Sequence, residues 1–184
     1  MPPPVKPRKR VFVGCEGESE QSYVALLQQF MGVRAEFHLV NDLLNGGDPL
    51  ATVDSAIKAM RRDAMKNRGP FIAKFVLLDS DLLGRNAARD EQCLALAKQH
   101  SLQLIWQSPC HEAMILRHLE NCHDKRPPTT LVSEQQLRQE WPEYTKNCGK
   151  ARLSQRITAA SLARVARQEP ELAARLICIG LIPA

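Results

Sequence analysis

No run in this chain approaches the roughly 20 consecutive apolar residues that a membrane-crossing helix requires. The first ten residues, Met1-Pro2-Pro3-Pro4-Val5-Lys6-Pro7-Arg8-Lys9-Arg10, are proline-rich and basic and lack the apolar core of a secretory signal. They read as a disordered lead-in, and the protein as cytoplasmic. No C-x-x-C pair occurs among Cys15, Cys93, Cys110, Cys122, Cys148 and Cys178. That argues against a redox motif, and a chain of this size without an export signal is expected to hold reduced thiols. Cys15 and Cys110 flank strand ends in apolar sequence and are expected to be buried. No G-x-x-x-x-G-K-[ST] phosphate loop is present, which argues against an NTPase acting alone. Aromatics make up only 5%, and no basic–aromatic stripe offers a stacking platform for single strands. There is no internal repeat.

What is present suits one domain over residues 11–184: 184 residues, 44% apolar and a formal charge of +5. The modest basic excess admits a nucleic-acid partner without demanding one. Apolar runs and helical patterns alternate. Strands are predicted at 11–15, 35–40, 71–78 and 102–107, and helices at 19–31, 49–66, 87–100 and 110–120. Such alternation predicts an α/β fold, a mainly parallel sheet flanked by helices. Asn67-Arg68-Gly69-Pro70 reads as a helix stop. After about residue 121 a linker, Asp124-Lys125-Arg126-Pro127-Pro128, leads into a helical C-terminal extension. Ser133 is a plausible N-cap there, 153–165 is amphipathic, and the apolar run 176–182 reads as a last strand or a buried tail.

The acids are concentrated at strand ends. Val11-Phe12-Val13-Gly14-Cys15 runs into Glu16, Glu18 and Glu20, and Phe75-Val76-Leu77-Leu78 runs into Asp79-Ser80-Asp81. Open α/β sheets bind ligands at such carboxyl-terminal tips. Gly17 is expected to permit a sharp strand-to-helix turn. Asp79 and Asp81, two apart on an extending strand, are expected to face one side. Four converging carboxylates repel one another unless a divalent cation neutralises them. Glu16, Glu20, Asp79 and Asp81 are therefore candidate ligands for Mg²⁺ or Mn²⁺, and two such ions form a clamp for phosphoryl displacement. Taken singly, each motif has a structural explanation in the helix dipole or in turn chemistry. A third element, Gln107-Ser108-Pro109-Cys110-His111-Glu112, places Ser108 as N-cap and Pro109 as the first helical residue. Glu112 or His111 then faces the same pocket. Lys146, Lys150, Arg152 and Arg156 are candidate phosphate contacts. Zinc at Cys110, His111, His118, Cys122 and His123 is disfavoured, because adjacent Cys-His pairs lack ligand spacing; His118 and Cys122, four apart, form a half-site.

These elements together resemble the RloB family. Its pattern joins a Cys-Glu-Gly-Glu-x-x-Glu box after the first strand, an aspartate pair after a central strand, and a Ser-Asn-Pro-Cys-Phe-Glu box opening a helix that ends near a His. Here they read Cys15-Glu16-Gly17-Glu18-Ser19-Glu20 followed by Tyr23, Asp79-Ser80-Asp81, and Ser108-Pro109-Cys110-His111-Glu112 with His118. Tyr144-Thr145-Lys146 matches a later Tyr-x-Lys element. The chain departs from the pattern in having Ser19 where the family has a Thr before Glu20, no Asn in the third box, and His111 for its Phe. The resemblance implies a Toprim-like fold related to OLD-type nucleases. It also implies Mg²⁺ chemistry on nucleic-acid backbones and a bacterial or phage-related defence context. Under it, Glu16 is metal ligand or general base, and Glu20, Asp79 and Asp81 hold metal. Two functions follow as expectations: a metal-dependent nuclease acting on DNA or RNA, or a non-catalytic nucleic-acid-binding or effector module working with a partner ATPase.

Overall fold

The computed structural model describes residues 7–33, 35–66 and 68–182. Residues 1–6 of the expected lead-in and Asn67 of the helix stop lie outside the described residues. Lys9 and Arg10, read above as lead-in, already belong to the first strand. The strands are β1 (Lys9–Cys15), β2 (Phe37–Leu43), β3 (Phe71–Asp79) and β4 (Gln103–Gln107). They form one all-parallel sheet in the order β2-β1-β3-β4. The helices among the described residues are α1 (Glu18–Met31), α2 (Pro49–Ala64), α3 (Ala87–Gln99), α4 (His111–His118), α5 (Thr130–Glu140), α6 (Lys150–Leu153), α7 (Ala159–Ala166) and α8 (Pro170–Cys178). The α/β architecture expected from the alternation is the one observed.

Strand side chains alternate between faces, so the sequence sorts itself into two layers. Val11, Val13, Cys15, Phe75, Leu77 and Ile105 pack with α1, α4 and the C-terminal helices. Phe12, Val76 and Leu78 pack against Val53, Ala56 and Ile57 of α2 and Cys93 and Ala97 of α3. Both faces are buried, which is why these strands read as continuous apolar runs. The C-terminal extension joins the first layer: Leu137, Trp141, Leu153, Ile157, Leu162, Leu172 and Leu176 are buried in the same cluster as Tyr23 and Leu27.

Several boundaries differ from expectation. The run 176–182 is no strand: Pro170 at a first helical position opens α8, which ends at Cys178, and Ile179, Leu181 and Ile182 follow as a tail packed on the core. The amphipathic stretch 153–165 is split between α6 and α7, and Thr158 caps the latter by accepting from Ser161 N. α5 is capped by Thr129, which accepts from Val132 N, rather than by Ser133. Ser133 lies inside the helix and donates its hydroxyl to Thr129 O. α4 starts at His111 with Cys110 as N-cap, and the Ser108–Pro109 peptide before it is cis. Ser108 and Pro109 therefore stand outside the helix they were expected to cap and open. All six cysteines are free, and Cys15 and Cys110 are buried as expected.

Candidate metal centre

The strand order reverses between β1 and β3: from β1 the chain crosses to one side for β2 and to the other for β3. A crevice forms outside the carboxyl ends of the strands at such a switch point. Glu16 follows the tip of β1 and Asp79 ends β3. Asp79 shares the strand parity of Phe75 and Leu77, so it belongs to the α1–α4 layer. The first turns of α1 and α4 bring Glu20 and Glu112 to the same place. A cavity of about 300 Å³ is lined by Glu16, Glu20, Asp79 and Glu112, together with His111, Lys146 and Asn147.

Each carboxylate is held differently. Glu16 Oε2 accepts from Asp79 N at 3.1 Å, which ties the two strand tips together. The carbonyl of Glu16 accepts from Gly46 N at 3.0 Å, so the β2–α2 loop fixes its backbone. Glu20 Oε2 reaches back to accept from Gly17 N at 3.0 Å. Gly17 itself is extended (φ −135°, ψ 179°), a conformation open to any residue. The sharp strand-to-helix turn expected here is present across residues 16–17, but it needs no left-handed residue; what restricts the position is space. A Cβ there would stand 3.1 Å from Glu20 Oε2. Glu112 Oε1 lies 4.0 Å from Lys146 Nζ, which is also 3.5 Å from Glu134. Glu112, then Glu134, hold the Lys146 ammonium above its ordinary pKa.

Asp79 is the uncompensated member. Its Oδ1 is buried and has no hydrogen-bond partner among the described residues. Burial first, then Glu20, Glu16, Glu112 and Asp81, push its pKa up to about 9. Burial also raises Glu16, against the hydrogen bond from Asp79 N.

Asp81 does not line the cavity. The strand stops at Asp79 and residues 81–84 form a turn, so the alternation that would have aligned the two aspartates ends one residue early. Ser80 N instead donates to both Gln107 O and Pro109 O. The exposed Asp81 carboxylate accepts from Thr130 Oγ1 at 3.1 Å, leaving it on the rim. Of the basic candidates, Lys146 reaches the cavity. Lys150 opens α6 in the open, Arg152 donates to Glu143 O, and Arg156 lies over the Trp141 ring and donates to Glu140 O.

Sequence reasoning missed Asn147, Asn45 and Gly46 as lining residues. Asn147, at φ 62°, donates its N–H to Ser19 Oγ and accepts from the same hydroxyl at its Oδ1, both at 3.1 Å. A turn-forming Asn-Cys-Gly stretch was the available signal for a left-handed residue there, but nothing local ties it to α1. Tyr144 of the Tyr-x-Lys element is buried beside Glu112. His118 is no zinc half-site. Its Nδ1 donates to Met114 O at 2.8 Å, so its Nε2 accepts from the Tyr23 hydroxyl at 3.0 Å, and burial holds its pKa down to about 3.

A sequence model of the RloB-like protein family matches residues 11–175. The chain belongs to the RloB-like family. No curated protein and no solved structure matches this RloB-like chain. The family match covers β1 from Val11, the other three strands, the acidic cavity, the Tyr144–Lys146 element and most of α8. No helix among its described residues is long and apolar enough to cross a membrane.

The donor set of the cavity suits a hard cation. Four carboxylates supply only oxygens, and one of those oxygens is buried and unpartnered. Among the described residues no three His, Cys, Asp or Glu side chains stand as a preassembled cage. Two of the carboxylates are bonded to backbone N–H groups instead.

Proposed function

We propose that this RloB-like chain is a metal-dependent nuclease that hydrolyses phosphodiesters of DNA or RNA in a bacterial or phage-related defence system. The observation that carries the reading is Asp79. A buried carboxyl surrounded by three others, with an unpartnered oxygen, stays charged only if a cation joins it. Glu16, Glu20 and Asp79, with Glu112 behind them, would hold Mg²⁺ or Mn²⁺, and Asp81 would act from the rim. When bound, the cation supplies positive charge for the phosphate oxygens and a more acidic water. The chain's own groups do the rest. Glu16 keeps one carboxylate oxygen on Asp79 N and offers the other as a proton acceptor. Lys146, with its side chain 63% exposed at the mouth, attracts the phosphate. The Toprim-like relation is part of this proposal; what supports it is that Glu16, after the first strand, and Asp79, at the end of a central strand, line one cavity.

The test is cleavage of a panel of single- and double-stranded DNA and RNA, tRNA included, with Mg²⁺, Mn²⁺ or EDTA. We expect divalent-dependent cleavage that EDTA stops. Glu16→Gln should lose roughly a hundredfold or more, the usual scale for a lost acid–base group. No cleavage of any substrate with either ion, or a fully active Glu16→Gln, overturns the nuclease reading.

One observation favours a second reading, a non-catalytic nucleic-acid-binding or effector module working with a partner ATPase. Two of the carboxylates, Glu16 and Glu20, accept from backbone donors, and among the described residues no three side chains are gathered as a cage. Under it, substrate retention persists in EDTA and in Glu16→Gln.

A further inference from the structure

One face of α5 reaches the rim of the acidic cavity at two points. Thr130 and Glu134 stand four apart on this helix, so their side chains project from the same side of it. Thr130 Oγ1 donates to Asp81, and Glu134 meets Lys146. Lys146 is the one Lys or Arg among the described lining residues of the cavity.

Lys146 stands between two carboxylates of different kinds. Its Nζ is 4.0 Å from Glu112 Oε1 and 3.5 Å from Glu134 Oε1. The Glu112 side chain lines the cavity and is 4% exposed; that of Glu134 is 27% exposed and does not line it. The other oxygen of Glu134 faces Arg138 Nη2 at 3.8 Å, one turn further along α5, so this carboxylate is steadied from its far side. The backbone around the lysine is anchored: Tyr144 and Cys148 are buried, and Asn147 exchanges two hydrogen bonds with Ser19. Freedom belongs to the lysine side chain alone, an ammonium on a flexible four-carbon stem that can lean inward or outward.

A divalent ion among Glu16, Glu20, Asp79 and Glu112 draws on the carboxylate that the ammonium now shares, and it repels the ammonium itself. Glu134 is then the partner left to it. We propose that Lys146 and the cation compete for Glu112, and that Glu134 is a positioning residue that holds the displaced ammonium at the cavity mouth. This rests on the metal reading above. A carboxylate outside the cavity thereby acts on the cation through Lys146, and the lysine is turned outward, toward an arriving phosphate, only once the cation is in place.

The probe is Mn²⁺ alone, added to the full chain, with free-ion electron paramagnetic resonance giving the affinity. Lys146→Met removes the competitor and should tighten Mn²⁺ by about threefold to fivefold, the scale of a half-exposed ion pair. Glu134→Gln leaves the displaced ammonium without a partner and should weaken Mn²⁺ by about threefold. Glu134→Asp, which keeps the charge, should restore most of that loss. The double variant decides the route: in the Lys146→Met background, Glu134→Gln should have almost no effect. Unchanged affinity in Lys146→Met, or an equal loss from Glu134→Gln in both backgrounds, overturns this inference and leaves the carboxylate site standing. No Mn²⁺ binding, or binding unaffected by Asp79→Asn, overturns the metal reading and this inference with it.

Discussion

At neutral pH the Asp79 carboxyl lies below its folded pKa of about 9, whereas in the unfolded chain it titrates near 3.8. Between those values the folded state holds a proton that the unfolded state has released. Stability therefore falls as pH rises through that window and levels off above it. His118 gives the opposite slope, because its folded pKa of about 3 makes the fold resist protonation below 6.5. Above pH 6.5 the slope belongs to the acidic cavity, joined toward pH 9 by the buried thiols, whose pKa values burial also raises. We expect the melting temperature of the metal-free protein to fall between about pH 6.5 and about pH 9, and Asp79→Asn to flatten that fall. Stabilisation by Mg²⁺ or Mn²⁺ should grow over the same range, since proton and cation compete for one carboxylate. Equal slopes in wild type and Asp79→Asn would show that the charge crowding lies elsewhere. Glu16, Glu20 and Asp79 were legible in sequence because an acid just past an apolar strand has only the sheet edge to occupy. Asp81 was misplaced because side-chain alternation has meaning only while the strand lasts. Asn147 showed only a turn signal, since its tie to Ser19 comes from a neighbour distant in sequence.

Among the elements, the strands were the most readable, because burial on both faces forces uninterrupted apolar runs. The helix starts were less so. α4 was expected to open on Ser108 and Pro109, yet Pro109 O accepts from Ser80 N, Ser108 O accepts from Arg117 Nη1, and the helix waits for His111. The end of α8 was ambiguous because a short apolar run has no decisive period. Within β1 the one glycine marks a tight approach. A Cβ on Gly14 would stand 2.7 Å from Leu44 Cδ1 and 3.4 Å from both Phe12 Cε1 and Val76 Cγ2. The nearest atom ends a side chain, so it yields, but Leu44 is only 6% exposed and has little room. Gly14→Ala should cost about 1 kcal/mol, the low end for overpacking. Denaturant unfolding with a Leu44→Ala partner checks the cause: the double variant should lose less than the sum of the singles. Strict additivity would mean the strain is not between these two side chains.

For the whole molecule, the last helix returns to the first. Arg175 of α8 is 1% exposed, its three guanidinium nitrogens have no hydrogen-bond partner among the described residues, and it lies 5.9 Å from the centre of the Tyr23 ring. Burial lowers its pKa, with only Tyr23 and the Cys15 thiol opposing that shift. A buried charge without a carboxylate costs more than an apolar side chain of similar length. Arg175→Met should raise the unfolding free energy by on the order of 1 kcal/mol, as when buried charges give way to apolar packing. A lower urea midpoint in Arg175→Met would show that the cation is needed where it sits. The paired bonds between Ser19 and Asn147 join positions 128 residues apart. On the ribosome, the acids of the first and third strands are made long before that partner exists. A nascent chain ending short of Asn147 carries every carboxylate of the cavity and lacks one of its walls. Whatever chemistry the cavity performs is therefore withheld until translation is well advanced, a delay set by the order in which the chain is written.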